Sequence, residues 1–122
     1  MHTSHEFTFA FERLQVYQLA RQLTCITAEI TATIPRGFGS IKDQLLRSGS
    51  APARLIAEGA LRKSKGSKRQ RFEEALGECG EAVATAQQFL DLRLISESQY
   101  SQLRSIAARV AAMTSRLVRK FS

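Results

Sequence analysis

A chain of 122 residues with 43% hydrophobic and 24% charged side chains can bury a core as one domain and is too apolar to be disordered. Its formal net charge of +7, from 18 basic and 11 acidic side chains, points toward polyanionic partners and away from cationic ones. No apolar run approaches the roughly 20 residues that span a bilayer, and the start, MHTSHEFTFAFERL, lacks the basic-then-apolar order of a secretory signal. A cytoplasmic protein that does not enter membranes is therefore expected.

Two prolines, seven glycines and no tryptophan, among many Ala, Leu, Arg, Glu and Gln residues, favour helix over sheet. Residues 1–8 read as a flexible tail and 9–122 as the folded unit. Val16, Leu19, Leu23, Ile26 and Ile30 recur at alternating steps of three and four, the seam of an amphipathic helix over about 11–33. That helix stops at IPRGFGS, where Pro35 turns Ile34 away from helical geometry and Gly37 and Gly39 allow a turn.

Ser40 followed by Asp43 has the form of a capping box and opens a second helix over about 41–62. Pro52 lies inside it and cannot donate to the Ser48 carbonyl, which predicts a kink or irregularity there. Gly49, Ala51, Ala53, Ala57, Gly59 and Ala60 leave a face with little bulk, suited to close helix approach.

A third helix over about 69–92 carries the seam Phe72, Leu76, Cys79, Val83, Ala86 and Leu90. Gly77 and Gly80 each cost about 1 kcal/mol relative to Ala inside it, which predicts a packing reason for both. Ser96 and Gln99 form a second capping box, opening a fourth helix over about 97–120 with Leu103, Ile106, Val110, Met113 and Leu117 on one side. Short connections make consecutive helices antiparallel, so the expected fold class is all-α, an up-down-up-down four-helix bundle.

Catalytic chemistry finds little footing. His2 and His5 are the only histidines and fall in the expected tail, and no nucleophile motif, phosphate-cradling glycine loop or HExxH is present. Glu74, Glu78 and Glu81 share a helix face, but a bundle di-metal site also needs Glu-x-x-His pairs, which are absent, so a solvated or intersubunit acidic face is expected. Cys25 and Cys79 form no CxxC pair and read as small apolar core residues. Glu58, amid small apolar residues, calls for an ion-pair partner such as Arg47, Arg54 or a neighbouring subunit. The expectation is a protein without enzymatic activity, cofactor or metal.

Charge is unevenly placed. Residues 62–72 hold six basic side chains and no acid, residues 73–97 one basic and six acidic, and residues 98–122 five basic and no acid. In an antiparallel bundle the connection between the second and third helices lies at the same end as the close of the fourth. Arg62, Lys63, Lys65, Lys68, Arg69 and Arg71 would then meet Arg116, Arg119 and Lys120 there, a positive end whose natural partner is a phosphate backbone, RNA or DNA. Only Phe72 and Phe121 lie near this cluster in sequence, so reading of stacked bases is not indicated.

The stretch DQLLRSGSAPARLIAEGALRKSKGSKRQRFEEALGECGEA resembles the bacterial 23S rRNA intervening-sequence (S23) proteins and the related accessory variability determinants of diversity-generating retroelements. Asp43–Gln44, Arg47, Ser50, Ile56-Ala57-Glu58-Gly59, Arg62, Ser64, Ala75, Gly77 and Glu81 follow the family pattern without a gap. Leu14, Val16, Tyr17 and Ala20, with Ile34-Pro35, extend the likeness to about 11–120. Three positions depart from it: Leu55 replaces an asparagine, Glu78 a serine, and Lys68 an aromatic residue. The resemblance implies a ring-like homopentamer of four-helix bundles without known enzymatic activity, in which Asp43, Gln44, Arg47, Glu58, Gly59, Gly77 and Glu81 are structural or interface residues. For the retroelement relatives it also implies nucleic-acid binding and association with a reverse transcriptase. Two functions are thus expected in competition, a nucleic-acid binder and a protein-interaction scaffold or reverse-transcriptase accessory subunit.

Overall fold

The computed structural model describes residues 6–122. Residues 1–5 of the expected tail, including His2 and His5, lie outside the described residues. Four helices follow in order: α1 (Gln15–Thr31), α2 (Gly39–Leu61), α3 (Lys65–Asp91) and α4 (Glu97–Lys120). Each packs on its sequence neighbours and α4 closes against α1, the up-down-up-down bundle expected from the short connections. No helix of the described residues is long and apolar enough to cross a membrane.

The helix starts differ from expectation for local reasons. α1 begins at Gln15 rather than 11, because Glu12 holds the preceding turn: Phe9 N–H donates to its Oε1 at 2.6 Å, and its carbonyl accepts from Gln18 Nε2 at 2.8 Å. α2 begins at Gly39 with Phe38 as N-cap and no side-chain cap, so Ser40 lies inside the first turn and forms no capping box. α2 runs through Pro52 without interruption, the ring being buried in the packed face. The Ser96–Gln99 box of α4 forms as expected, with both reciprocal bonds present.

The core lies along the expected seam of α1, where Val16, Leu19, Leu23, Ile26 and Ile30 are all buried. On α3 and α4 the buried stripe is rotated from the seam of large residues. Ala75, Ala82, Thr85 and Phe89 are buried while Leu76, Val83 and Leu90 sit at the margin, and Ala107 and Thr114 are buried while Ile106, Met113 and Leu117 are marginal. Small residues face the centre because the helices approach closely there. An added Cβ on Gly49 would stand 2.2 Å from Thr27 Oγ1, and one on Gly59 would stand 2.5 Å from the Phe72 ring. Gly77 and Gly80 have no packing reason within the subunit, since an added Cβ there meets nothing within 4 Å. α3 ends on a Schellman turn, Leu94 N–H to Phe89 O at 2.9 Å and Arg93 N–H to Leu90 O at 2.9 Å, with Arg93 left-handed at φ 60°.

The cysteines divide. Cys79 is buried, but Cys25 is exposed, one step off the seam in the outward row with Arg21 and Glu29. Burial, with a smaller contribution from the Glu78 charge, pushes the Cys79 thiol up from 9.0 to about 12. In the folded protein at pH 8, an alkylating reagent is expected to label Cys25 alone, as read by mass spectrometry. Because the folded thiol holds its proton where the unfolded one loses it, stability falls as pH rises from 9 toward 12. Cys79→Ala should flatten that decline in urea unfolding; an unchanged slope would contradict the assignment.

Candidate nucleic-acid interface

The stretch LRKSKGSKRQRF is only partly a connection. α2 closes at Leu61, Arg62 is its C-cap, and Ser64 caps α3 by accepting from Ser67 N–H at 3.1 Å. α3 therefore begins at Lys65, not 69, and Lys65, Lys68, Arg69 and Arg71 are helical. The expected basic loop is a tight turn followed by a basic first turn of helix.

Lys68, Arg69 and Lys120 meet around Phe121 at this end, and the nine predicted cations fall into two groups. Lys68 Nζ donates to the Gly59 and Ala60 carbonyls at 3.3 and 3.0 Å, closing the end of α2, and lies 5.6 Å from the centre of the Phe121 ring. Arg69 Nη1 donates to the Phe121 carbonyl at 3.4 Å, which joins the start of α3 to the close of α4. Arg71 is held by carboxylates, 2.8 Å from Glu74 and 3.5 Å from Glu58. These three are committed to the fold. Arg62, Lys63 and Lys65 are exposed, and so are Arg116, Arg119 and Lys120. Among the described residues, none of these six forms an ion pair.

Helix dipoles separate the six further. Arg119 and Lys120 lie in the last turn of α4, where cations complement the negative end of the dipole, so their placement has a structural reason. The first turn of α3 has no acid and begins with Lys65, at the positive end of its dipole, where a cation is disfavoured. That charge gains nothing from the helix it starts. Together with the free amides of the first turn it makes a place suited to an anion.

Aromatic residues are distributed otherwise than expected. Phe72 is buried, and Phe121 is half-buried against it at 5.9 Å with the Lys68 and Lys120 ammonium groups over its ring. Instead Phe7, Phe9 and Phe11, absent from the expected site, form a ladder with ring centres 5.1 and 5.9 Å apart, ending on Tyr17 at 4.9 Å. The alternation F-T-F-A-F was the available signal, since extended chain puts every second side chain on one side.

The residues expected as structural lie along the α2–α3 packing. Arg47 reaches Glu81 at 2.7 Å and Glu78 at 3.9 Å, and Glu58 reaches Arg54 at 3.6 Å as well as Arg71. Arg47 thus serves the acidic row rather than Glu58. Burial, then the neighbouring Glu81, raises the Glu78 carboxyl above its usual range, against the pull of Arg47 and Arg54. Asp43 and Gln44 are exposed near the start of α2, Gly59 is buried against Phe72, and Gly77 faces open space.

Residues 12–116 match the family described as 23S rRNA-intervening sequence protein. The fold is similar to the crystal structure of a protein with unknown function from the S23 ribosomal protein family of Bacteroides thetaiotaomicron, with a TM-score of 0.79 at 15% identity. That likeness covers 84% of this chain and 97% of the other, and at such identity it is one of fold. No curated protein matches the chain.

Proposed function

The chain belongs to the family of 23S rRNA-intervening sequence proteins, and from that premise we propose that it is a non-enzymatic bundle that binds RNA or DNA through phosphate contacts from its basic end. The observation that carries this reading is the group Arg62, Lys63 and Lys65, exposed and unpaired among the described residues, of which Lys65 begins α3 at the dipole end that disfavours a cation. An exposed cation kept at a local electrostatic cost is supplied with a counter-charge by a partner. Arg116, Arg119 and Lys120 extend the same field. Assembly as a ring-like homopentamer in the cytoplasm belongs to this reading; it would repeat the basic end on one particle and raise avidity for a long polyanion.

Engagement of about six phosphates makes affinity fall roughly a thousandfold between 50 and 200 mM salt. Fluorescence anisotropy with labelled duplex and single strands over that range measures the slope. The triple variant Arg62→Gln, Lys63→Gln, Lys65→Gln should lower the slope by about three while leaving Tm unchanged. Lys68, Arg69 and Arg71 are left intact because they hold the fold. Absence of binding at low salt, or a slope indifferent to the triple variant, contradicts the proposal. The competing reading, a scaffold or accessory subunit of a reverse transcriptase, requires a protein partner that co-purifies through nuclease treatment. Light scattering on the same samples gives subunit number.

A further inference from the structure

We propose that the exposed rings of Phe7 and Phe9 are a base-stacking platform beside the basic end, so that the nucleic acid preferred there is single-stranded. The inference rests on the phosphate-binding reading above and names the form of nucleic acid that reading leaves open. Phe7 is 75% and Phe9 50% exposed, a large apolar area to leave in water on a small bundle. The rings do not hang from a loose end. Phe11 is anchored on Tyr17, and the Phe9 N–H is held by Glu12, so the ladder leaves the bundle at a fixed place with its outer rungs open.

Position connects the ladder to the cations. Ala10, between two rungs, lines a cavity with Lys68, Lys120 and Phe121 at the basic end. Phe11 lines a groove between α1 and α2 that also contains Arg21 and Arg54. The root of the ladder, Ala10 and Phe11, therefore stands between Lys120 on one side and Arg21 on the other, while Lys68 and Arg54 in the same cavities are engaged by the α2 carbonyls and by Glu58. Phe9 stacks on Phe11 at 5.9 Å and 20°, whereas Phe7 meets Phe9 edge-on at 5.1 Å and 78°, so the exposed Phe7 ring keeps its faces open to a nucleobase. Stacking of this kind requires a base with a free face. A duplex hides those faces, whereas a single strand presents them while its phosphates reach the cations. A second copy joined symmetrically through the same patch would bring two basic ends together, so charge favours an anionic occupant over that pairing.

The test compares a labelled oligo(dT) with a blunt duplex by anisotropy at fixed salt. Phe7→Ala with Phe9→Ala should weaken oligo(dT) binding by about 10–100-fold and leave duplex affinity and the salt slope unchanged. Phe7→Tyr with Phe9→Tyr should keep the single-strand preference. Because the protein has no tryptophan, Phe7→Trp supplies a unique reporter, whose fluorescence should be quenched by oligo(dT) and not by duplex. Equal loss on both probes, no loss on either, or an unquenched indole overturns the proposal. A change of particle size in the alanine variant assigns the rungs to a second copy and also overturns it. Wild-type protein that binds neither probe overturns the nucleic-acid reading itself, an outcome distinct from binding that ignores the rings.

Discussion

Gly49→Ala is expected to destabilise the protein by about 2 kcal/mol, lowering Tm by roughly 6–10 °C, although alanine is the better helix former. The reason is the contact of α1 with α2. The added Cβ would stand 2.2, 2.6 and 2.8 Å from Thr27 Oγ1, Cγ2 and Cβ. Rotating Thr27 cannot relieve the clash, since its Cβ is fixed by the backbone and its hydroxyl is engaged with the Leu23 carbonyl at 2.7 Å. The two helices must separate, and the bond from Thr24 Oγ1 to the Gly49 carbonyl at 3.4 Å is lost with them. Gly77→Ala and Gly80→Ala carry the opposite sign. Nothing obstructs their Cβ within the subunit, so each should stabilise it by about 1 kcal/mol. Urea unfolding of the three variants checks both signs. A stable Gly49→Ala would show that the α1–α2 approach is looser than the described contact.

The second large effect belongs to Phe72. Its ring is 2% exposed and fills the space that Gly59 leaves open, and it also supports Phe121. Phe72→Ala is expected to cost about 3–5 kcal/mol, the transfer loss together with an unfilled cavity. Gly59→Ala alone should cost about 1–3 kcal/mol by pressing on that ring. In a Phe72→Leu background the same glycine change should cost less, because the atoms it strikes are gone. A double-mutant cycle isolates this coupling, and additive values would show that the ring and the glycine do not share the space.

The bundle was legible because its periodicity is carried by large side chains. The α1 seam from Val16 to Ile30 is buried in full, and the Ser96 box marks the start of α4. Legibility fails where backbone or small residues decide. Ser40 has the composition of a cap, but the helix begins before it, at Gly39. Ser64 precedes a polar run and gave no apolar signal, yet it caps α3 and turns half the expected loop into helix. The rotation of the α3 stripe toward Ala75 and Ala82 follows close approach to other helices, which no local pattern records. For the candidate site, charge could be counted but not apportioned. Lys68, Arg69 and Arg71 carry the same charge as Arg62, Lys63 and Lys65, and only tertiary geometry shows that the first three face carbonyls and carboxylates.

The bond from Arg69 to the Phe121 carbonyl bears on the order of assembly. The α2–α3 and α3–α4 hairpins are both joined by short turns, 62–64 and 92–96, and contacts near those turns close short loops, whereas the tie between α3's start and α4's close, at the open end of the second hairpin, spans 52 positions of chain. Loop closure makes the contacts beside each turn cheap in entropy and the open-end tie costly, so the Arg69–Phe121 bond is expected to form late, once the α3–α4 hairpin has zipped. Arg119 and Lys120, beside Phe121, come to the end of the bundle where α3 starts only in that late step. A chain still emerging from the ribosome then carries its cations dispersed, and the concentrated field arises only as the bundle closes.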